Sequence, residues 1–151
     1  MRVVNPGPGE LYDRLSILAL KVQYGKEKNI DVSDWEQEEY EVLCAISAHF
    51  TVDSSKIKVS GSKDNLQLVG ELNAVNKNVW VAIDQQREYQ KVDLHSASEP
   101  TLREIARLGL YVMEMNDVRA KLIGEINELY GIKRTEKIPY SSGNFENVGR
   151  R

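Results

Sequence analysis

Apolar residues return along this chain at helical spacing in four separate runs. In the first, Leu11, Leu15, Leu18 and Val22 stand four, three and four residues apart, and Ile17 and Leu20 widen the seam. That period puts them on one face of a helix. Pro8 suits a first helical turn, where a missing N–H costs nothing, so the pattern predicts a helix over about 8–28. A second run, Trp35, Val42, Ile46 and Phe50, follows the capping-box spacing of Ser33 and Glu36 and predicts a helix over about 33–49. Leu68, Leu72, Val75, Val79 and Ile83 predict a third over about 64–91. Leu102, Ile105, Val112, Met115, Leu122, Ile126 and Leu129 predict a fourth over about 99–130, opened by Pro100 and closed by Gly131.

Residues 51–63 break the period. "KIKVS" alternates there, so a short exposed strand and a plain loop are equal expectations. The sequence therefore predicts an all-α fold, an antiparallel bundle of about four helices, two short and two long. Residues 1–131 read as one domain and 132–151 as a basic, Gly-containing tail. The two long helices outrun the short pair, and their surplus apolar face needs cover. A second copy of the chain meets that need, so a homodimer through helices 3 and 4 is expected, with two-fold symmetry.

Composition narrows the function classes. The chain has 151 residues, 41% apolar and 28% charged, the balance of a globular domain. Its net charge of −3 is of the wrong sign for general nucleic-acid affinity. The one cysteine, Cys44, excludes an internal disulfide and a cysteine-built zinc site. Mid-helix on an amphipathic stretch, it is expected to be buried. No stretch approaches the roughly 20 apolar residues of a membrane span, and the N-terminus has no apolar run of signal-peptide length. A soluble, cytoplasmic protein is the expectation.

Polar residues also keep helical period beside the seams. Asn73, Asn76, Trp80, Asp84 and Arg87 share a face of helix 3. Asn116, Asp117, Arg119 and Asn127 lie on helix 4, and Glu10, Asp13, Arg14 and Lys21 on helix 1. Buried polar groups need partners, so Arg14 and Arg119 are expected to meet carboxylates such as Asp13, Asp84 or Asp117. Three uses are open. The set can be a structural network. Its arginines and lysines can hold a phosphate or carboxylate. Or Glu10 and Asp13, with Asp84 and Glu88, can offer hard oxygen ligands to Mg²⁺, as in all-α nucleotide pyrophosphohydrolases. The order of acidic motifs here departs from the pattern of those enzymes.

Three segments together resemble one family. "GELYDRLSILALK" is similar to its opening signature, "VNKNVWVAIDQQR" to its central V-N and L/V-W motif, and "ARLGLYVMEMNDVRAKLIGEIN" to its N-D-x-R-A motif; "TEKIPY" continues in the same manner. The chain departs at Gln86, where that family commonly has Ile, and at Ile83, where it commonly has an acid. The family comprises short helical proteins or modules of unknown activity, found alone or beside glycosyltransferase and tetratricopeptide-repeat regions. The resemblance implies a setting in surface-glycan assembly. It points to Glu10, Asp13, Arg14, Lys21, Asn76, Trp80, Asp84, Arg87, Asn116, Asp117, Arg119 and Asn127 as ligand-binding residues.

The expected function is a binding or interaction module for an anionic small molecule, a sugar phosphate or nucleotide sugar, or for a glycosyltransferase partner. It would need no cofactor. The alternative is a Mg²⁺-dependent pyrophosphohydrolase-like enzyme with Glu10, Asp13, Asp84 and Glu88 as metal ligands.

Overall fold

The computed structural model describes residues 6–52 and 63–132. Four helices account for most of them: α1 (Pro8–Glu27), α2 (Ser33–Val52), α3 (Asn65–Glu88) and α4 (Glu99–Leu129). Each lies where the apolar period predicts it. Helix α2 runs past its expected end near residue 49 to take in Thr51 and Val52, the start of the segment expected as strand or loop over 51–63; the Phe50 side chain, residues 53–62 of that segment and the tail beyond residue 132 lie outside the described residues.

Local chemistry sets the ends. Pro8 opens α1. Asp64 and Gln67 form a reciprocal capping box at α3, which satisfies two otherwise orphaned backbone donors. Ser98 accepts from the Thr101 N–H at the start of α4, next to Pro100. Gly131, at φ 77°, ends α4, and the Ile132 N–H bonds back to the Asn127 carbonyl. The capping box expected at Ser33 and Glu36 is replaced by other partners. The Ser33 N–H donates to Asp31, and Glu36 pairs with Lys26.

Contacts along the helices fix their directions. Gly9 meets Asn127 and Asp13 meets Arg119, so α1 runs antiparallel to α4. Tyr12 meets Asn65, Asp13 meets Asn76 and Tyr24 stacks on Trp80, so α1 runs parallel to α3. Arg14 meets Glu38, and Lys21 lies over the Trp35 ring, so α2 descends along α1. The result is an up-down-up-down all-α bundle.

It is not evenly packed. Helix α1 lies against the other three, whereas α2 packs chiefly on α1. Two apolar cores follow. Leu68, Leu72, Val75, Val79, Leu122, Ile126 and Leu129 close the α3–α4 hairpin. Leu11, Leu18, Val42 and Ile46 close α1 on α2. Each fully buried Leu or Ile contributes about 1.5–3 kcal/mol relative to exposure. Because α2 buries only one face, Cys44 is exposed, contrary to expectation. It sits two residues from the inward Val42, and two helical steps turn a side chain by about 200°.

The length mismatch is also present. At about 1.5 Å per residue, the 31 residues of α4 span about 46 Å and the 20 of α1 about 30 Å. Past the stacked Tyr24 and Trp80, α1 ends at Glu27 while α3 continues to Glu88. No helix among the described residues is long and apolar enough to cross a membrane.

Candidate functional site

Helix α1 turns a polar side toward the α3–α4 hairpin. Asp13, only 9% exposed, accepts a forked pair of bonds from the Arg119 guanidinium, Nε to Oδ1 at 2.7 Å and Nη2 to Oδ2 at 2.5 Å. The Asn76 amide donates to the same Oδ1 at 2.9 Å. One carboxylate from α1 thus joins a side chain from α3 and one from α4. The hydrogen bonds that Arg119 donates to Asp13 hold its pKa above the ordinary value, against the opposing effect of burial. Such forked, charge-assisted bonds fix geometry as well as adding energy.

A second clamp lies one turn earlier. Asn127 accepts from the Gly9 backbone N–H at 2.7 Å and donates to Glu10 Oε2 at 2.9 Å. The backbones must come close for this. A Cβ built on Gly9 would stand 2.3 Å from the Ile123 carbonyl oxygen, and one on Gly7 would stand 2.5 Å from Asn127 Oδ1. The run "GPGELYD" is therefore shaped by contact with α4: two glycines allow the approach, and Glu10 and Asp13 hold it.

Tyr12 sits between these clamps and packs against both apolar cores. Its hydroxyl accepts from Asn65 Nδ2 at 3.3 Å. Burial first, and interaction with the Tyr12 hydroxyl second, push the Tyr130 hydroxyl pKa well above its ordinary value of 10.0.

The expected site residues therefore divide. Glu10, Asp13, Asn76, Arg119 and Asn127 come together in the network just described. Arg14 and Lys21 turn toward α2, where Arg14 forms an ion pair with Glu38 and Lys21 lies 6.0 Å from the Trp35 ring centroid. Trp80 stacks on Tyr24 with ring centroids 5.4 Å apart, and its buried Nε1 has no acceptor among the described residues. Asp84 and Arg87 form an exposed pair of their own at 3.7 Å. Asn116 and Asp117 are exposed on α4. Among the described residues no three His, Cys, Asp or Glu side chains gather as a metal ion would require, so Glu10, Asp13, Asp84 and Glu88 do not form one cluster.

An open groove of about 380 Å³ adjoins the network, between α1 and α3. Tyr12, Leu15, Ser16, Ala19, Leu20 and Gln23 line it from α1, and Val69, Asn73 and Lys77 from α3. The groove exists because α2, which could have covered α3, lies along α1 instead. Its floor is apolar and its rim carries one cation and two amides. Lys77 has no ion-pair partner among the described residues. The sequence offers one signal for this place, Ser16 in the middle of a leucine-rich helix. Lys77 looks like any solvated lysine.

Comparison of the chain with protein-family models, with curated proteins and with solved structures returned no match in any of the three.

Proposed function

We propose that this chain is a binding module, and that its ligand is a small anion with an apolar or planar body, such as a sugar phosphate or nucleotide sugar, held in the α1–α3 groove. The observation that carries the proposal is Lys77: an uncompensated cation on the rim of an apolar-floored groove. A volume of about 380 Å³ falls at the lower end of small-molecule sites, roughly 300–1,000 Å³. Lys77 would act as a point charge on a phosphate, with the Asn73 and Gln23 amides beside it for hydroxyls. The Asp13–Asn76–Arg119 network would act behind the groove wall, fixing the spacing of α1 and α3 rather than touching the guest. The polar residues of the motifs then shape the site, and only part of the set lines it.

The motif resemblance chooses the first probes and the setting, surface-glycan assembly beside a glycosyltransferase. The magnesium-hydrolase alternative gains no such support. Glu10 and Asp13 spend oxygens on Asn127 and Arg119, and Asp84 and Glu88 stand exposed on α3.

Thermal-shift titration with a uridine-diphosphate sugar, a hexose phosphate and inorganic phosphate tests the proposal. A ligand at 100 times its Kd stabilises by about 2.7 kcal/mol, which is about 5–10 °C for a chain of this size. The expected result is a shift of that order with a phosphorylated sugar, lost in Lys77→Ala. No shift with any probe at millimolar concentration, or one unaffected by Lys77→Ala, overturns it.

A further inference from the structure

The outer side of α4 carries an apolar stripe that no helix among the described residues covers. Leu102, Ala106, Leu110 and Met113 stand four, four and three residues apart, so they share one face over about 16 Å of helix. Leu110 is 67% exposed, Met113 65% and Leu102 39%. Scattered exposed leucines need no explanation, but three large apolar side chains in register on one helix face mark an interaction surface.

The stripe is complementary to itself. When two copies of α4 are laid antiparallel about a two-fold axis near Leu108, Leu102 falls opposite Met113 of the partner subunit, and Ala106 opposite Leu110 of the partner subunit. In the same register Arg103 falls opposite Glu114 of the partner subunit. These pairings agree within about one residue of rise, about 1.5 Å. Arg103 is among the most exposed cations, and its bond to Glu99, one turn away on its own helix, lies on the surface. The one like-charged meeting, Glu99 with Asp117 of the partner subunit, lies at the ends, where Arg103 already neutralises Glu99. A two-fold contact demands this self-complementarity, since each residue meets its counterpart twice. A foreign partner would have no reason to match it.

From this register we infer that the outer face of α4 is a homodimer interface, the second copy packing antiparallel through Leu102, Ala106, Leu110 and Met113. The stripe is three turns long, smaller than a standard interface of about 800 Å² per partner, so the expected dissociation constant is micromolar. The inference gives the long-helix dimer a defined face and is independent of the groove ligand; a chain that fails to dimerise can still bind at Lys77, and the reverse.

Sedimentation equilibrium from about 5 to 200 µM tests it. The wild-type chain is expected to pass from monomer to dimer across that range. Leu110→Glu is expected to remain monomeric with an unchanged thermal melt. Arg103→Glu is expected to weaken the dimer about tenfold, because the two symmetry-related pairs become repulsive. Combining it with Glu114→Arg should restore the affinity to within about threefold. These two surface residues keep the test open even if Leu110→Glu disturbs folding. A monomer at every concentration, or a dimer indifferent to Leu110→Glu and to charge reversal, overturns the inference.

Discussion

Replacing Gly9 with alanine puts two physical effects in direct opposition. Gly9 lies inside α1, and in an exposed helix interior alanine is favoured over glycine by up to about 1 kcal/mol. Propensity alone therefore predicts a more stable protein. The packing predicts the reverse. The new methyl group would stand 2.3 Å from the Ile123 carbonyl oxygen and 3.0 Å from Asn127 Oδ1. Ordinary contact needs more than 3.4 Å to such an atom, so the start of α1 must retreat from α4 by about 1 Å. Overpacking of that kind costs about 1–3 kcal/mol. The retreat also stretches the bond from the Gly9 N–H to Asn127, worth about 1 kcal/mol net. Subtracting the propensity gain leaves a loss of about 1–3 kcal/mol, or about 2–12 °C in Tm. Gly70 supplies the control. It lies within α3, is exposed, and a Cβ there meets nothing within 4 Å. Gly70→Ala should therefore stabilise by about 0.5–1 kcal/mol. Urea unfolding at 25 °C, followed by far-ultraviolet circular dichroism, measures both. If Gly9→Ala unfolds at the same or higher urea than wild type, α1 does not approach α4 as closely as described, and the clamp through Asn127 goes with it.

Asp13→Ala should cost about 3 kcal/mol, because it strands the buried Asn76 amide and a partly buried guanidinium. Arg119→Ala should cost less, and the double-mutant cycle should return a coupling of about 1–2 kcal/mol by chemical denaturation; single-mutant losses both below about 0.5 kcal/mol would remove the network from any role in holding α1. The raised Tyr130 pKa predicts alkaline behaviour. A hydroxyl that keeps its proton in the folded state contributes stability that is fully present below pH 10.0 and is lost as the pH rises toward the folded value. Melting curves between pH 9 and 12, compared with Tyr130→Phe, should show a steeper fall for wild type; parallel slopes would refute the assignment.

Much of this fold is legible because each helix carries its own period and its own end signals. Pro8, Pro100 and Gly131 mark ends that the chain adopts, whereas the Ser98 cap is not read from the sequence. The uneven packing is not legible. A seam such as Leu11, Leu15, Leu18 and Val22 reports that a helix has a buried face. It is silent on a second buried face made of Gly9, Asp13 and Ser16, which bury through close approach and hydrogen bonds rather than through apolar surface. Cys44 is misplaced for the same reason, since its exposure depends on which neighbours α2 lacks.

The polar set is half legible. Asp13, Asn76, Arg119 and Asn127 stand out as polar groups beside seams, and they meet. Arg14 looks equivalent to Arg119 in the sequence. One residue beyond Asp13 is a rotation of about 100°, which carries it to Glu38 on the other side of α1. Lys77 and the groove were beyond the reach of the sequence, because a groove is made by the absence of a neighbour.

The attachment of α2 chiefly to α1 sets the order in which the molecule comes apart. Helices α1, α3 and α4 hold one another through the clamps at Asp13 and Asn127 and through Tyr12, while α2 is held by its apolar strip on α1, by surface ion pairs of Glu36 and Glu38, and by an edge contact of His49 with Tyr130. The hairpin keeps its own closed core when α2 lifts away, so this opening costs less than global unfolding. Amides of α2 should thus exchange with solvent sooner than those of α3 and α4. The departure would bare Leu11 and Leu18 on α1, a surface otherwise hidden, while leaving the α1–α3 groove intact.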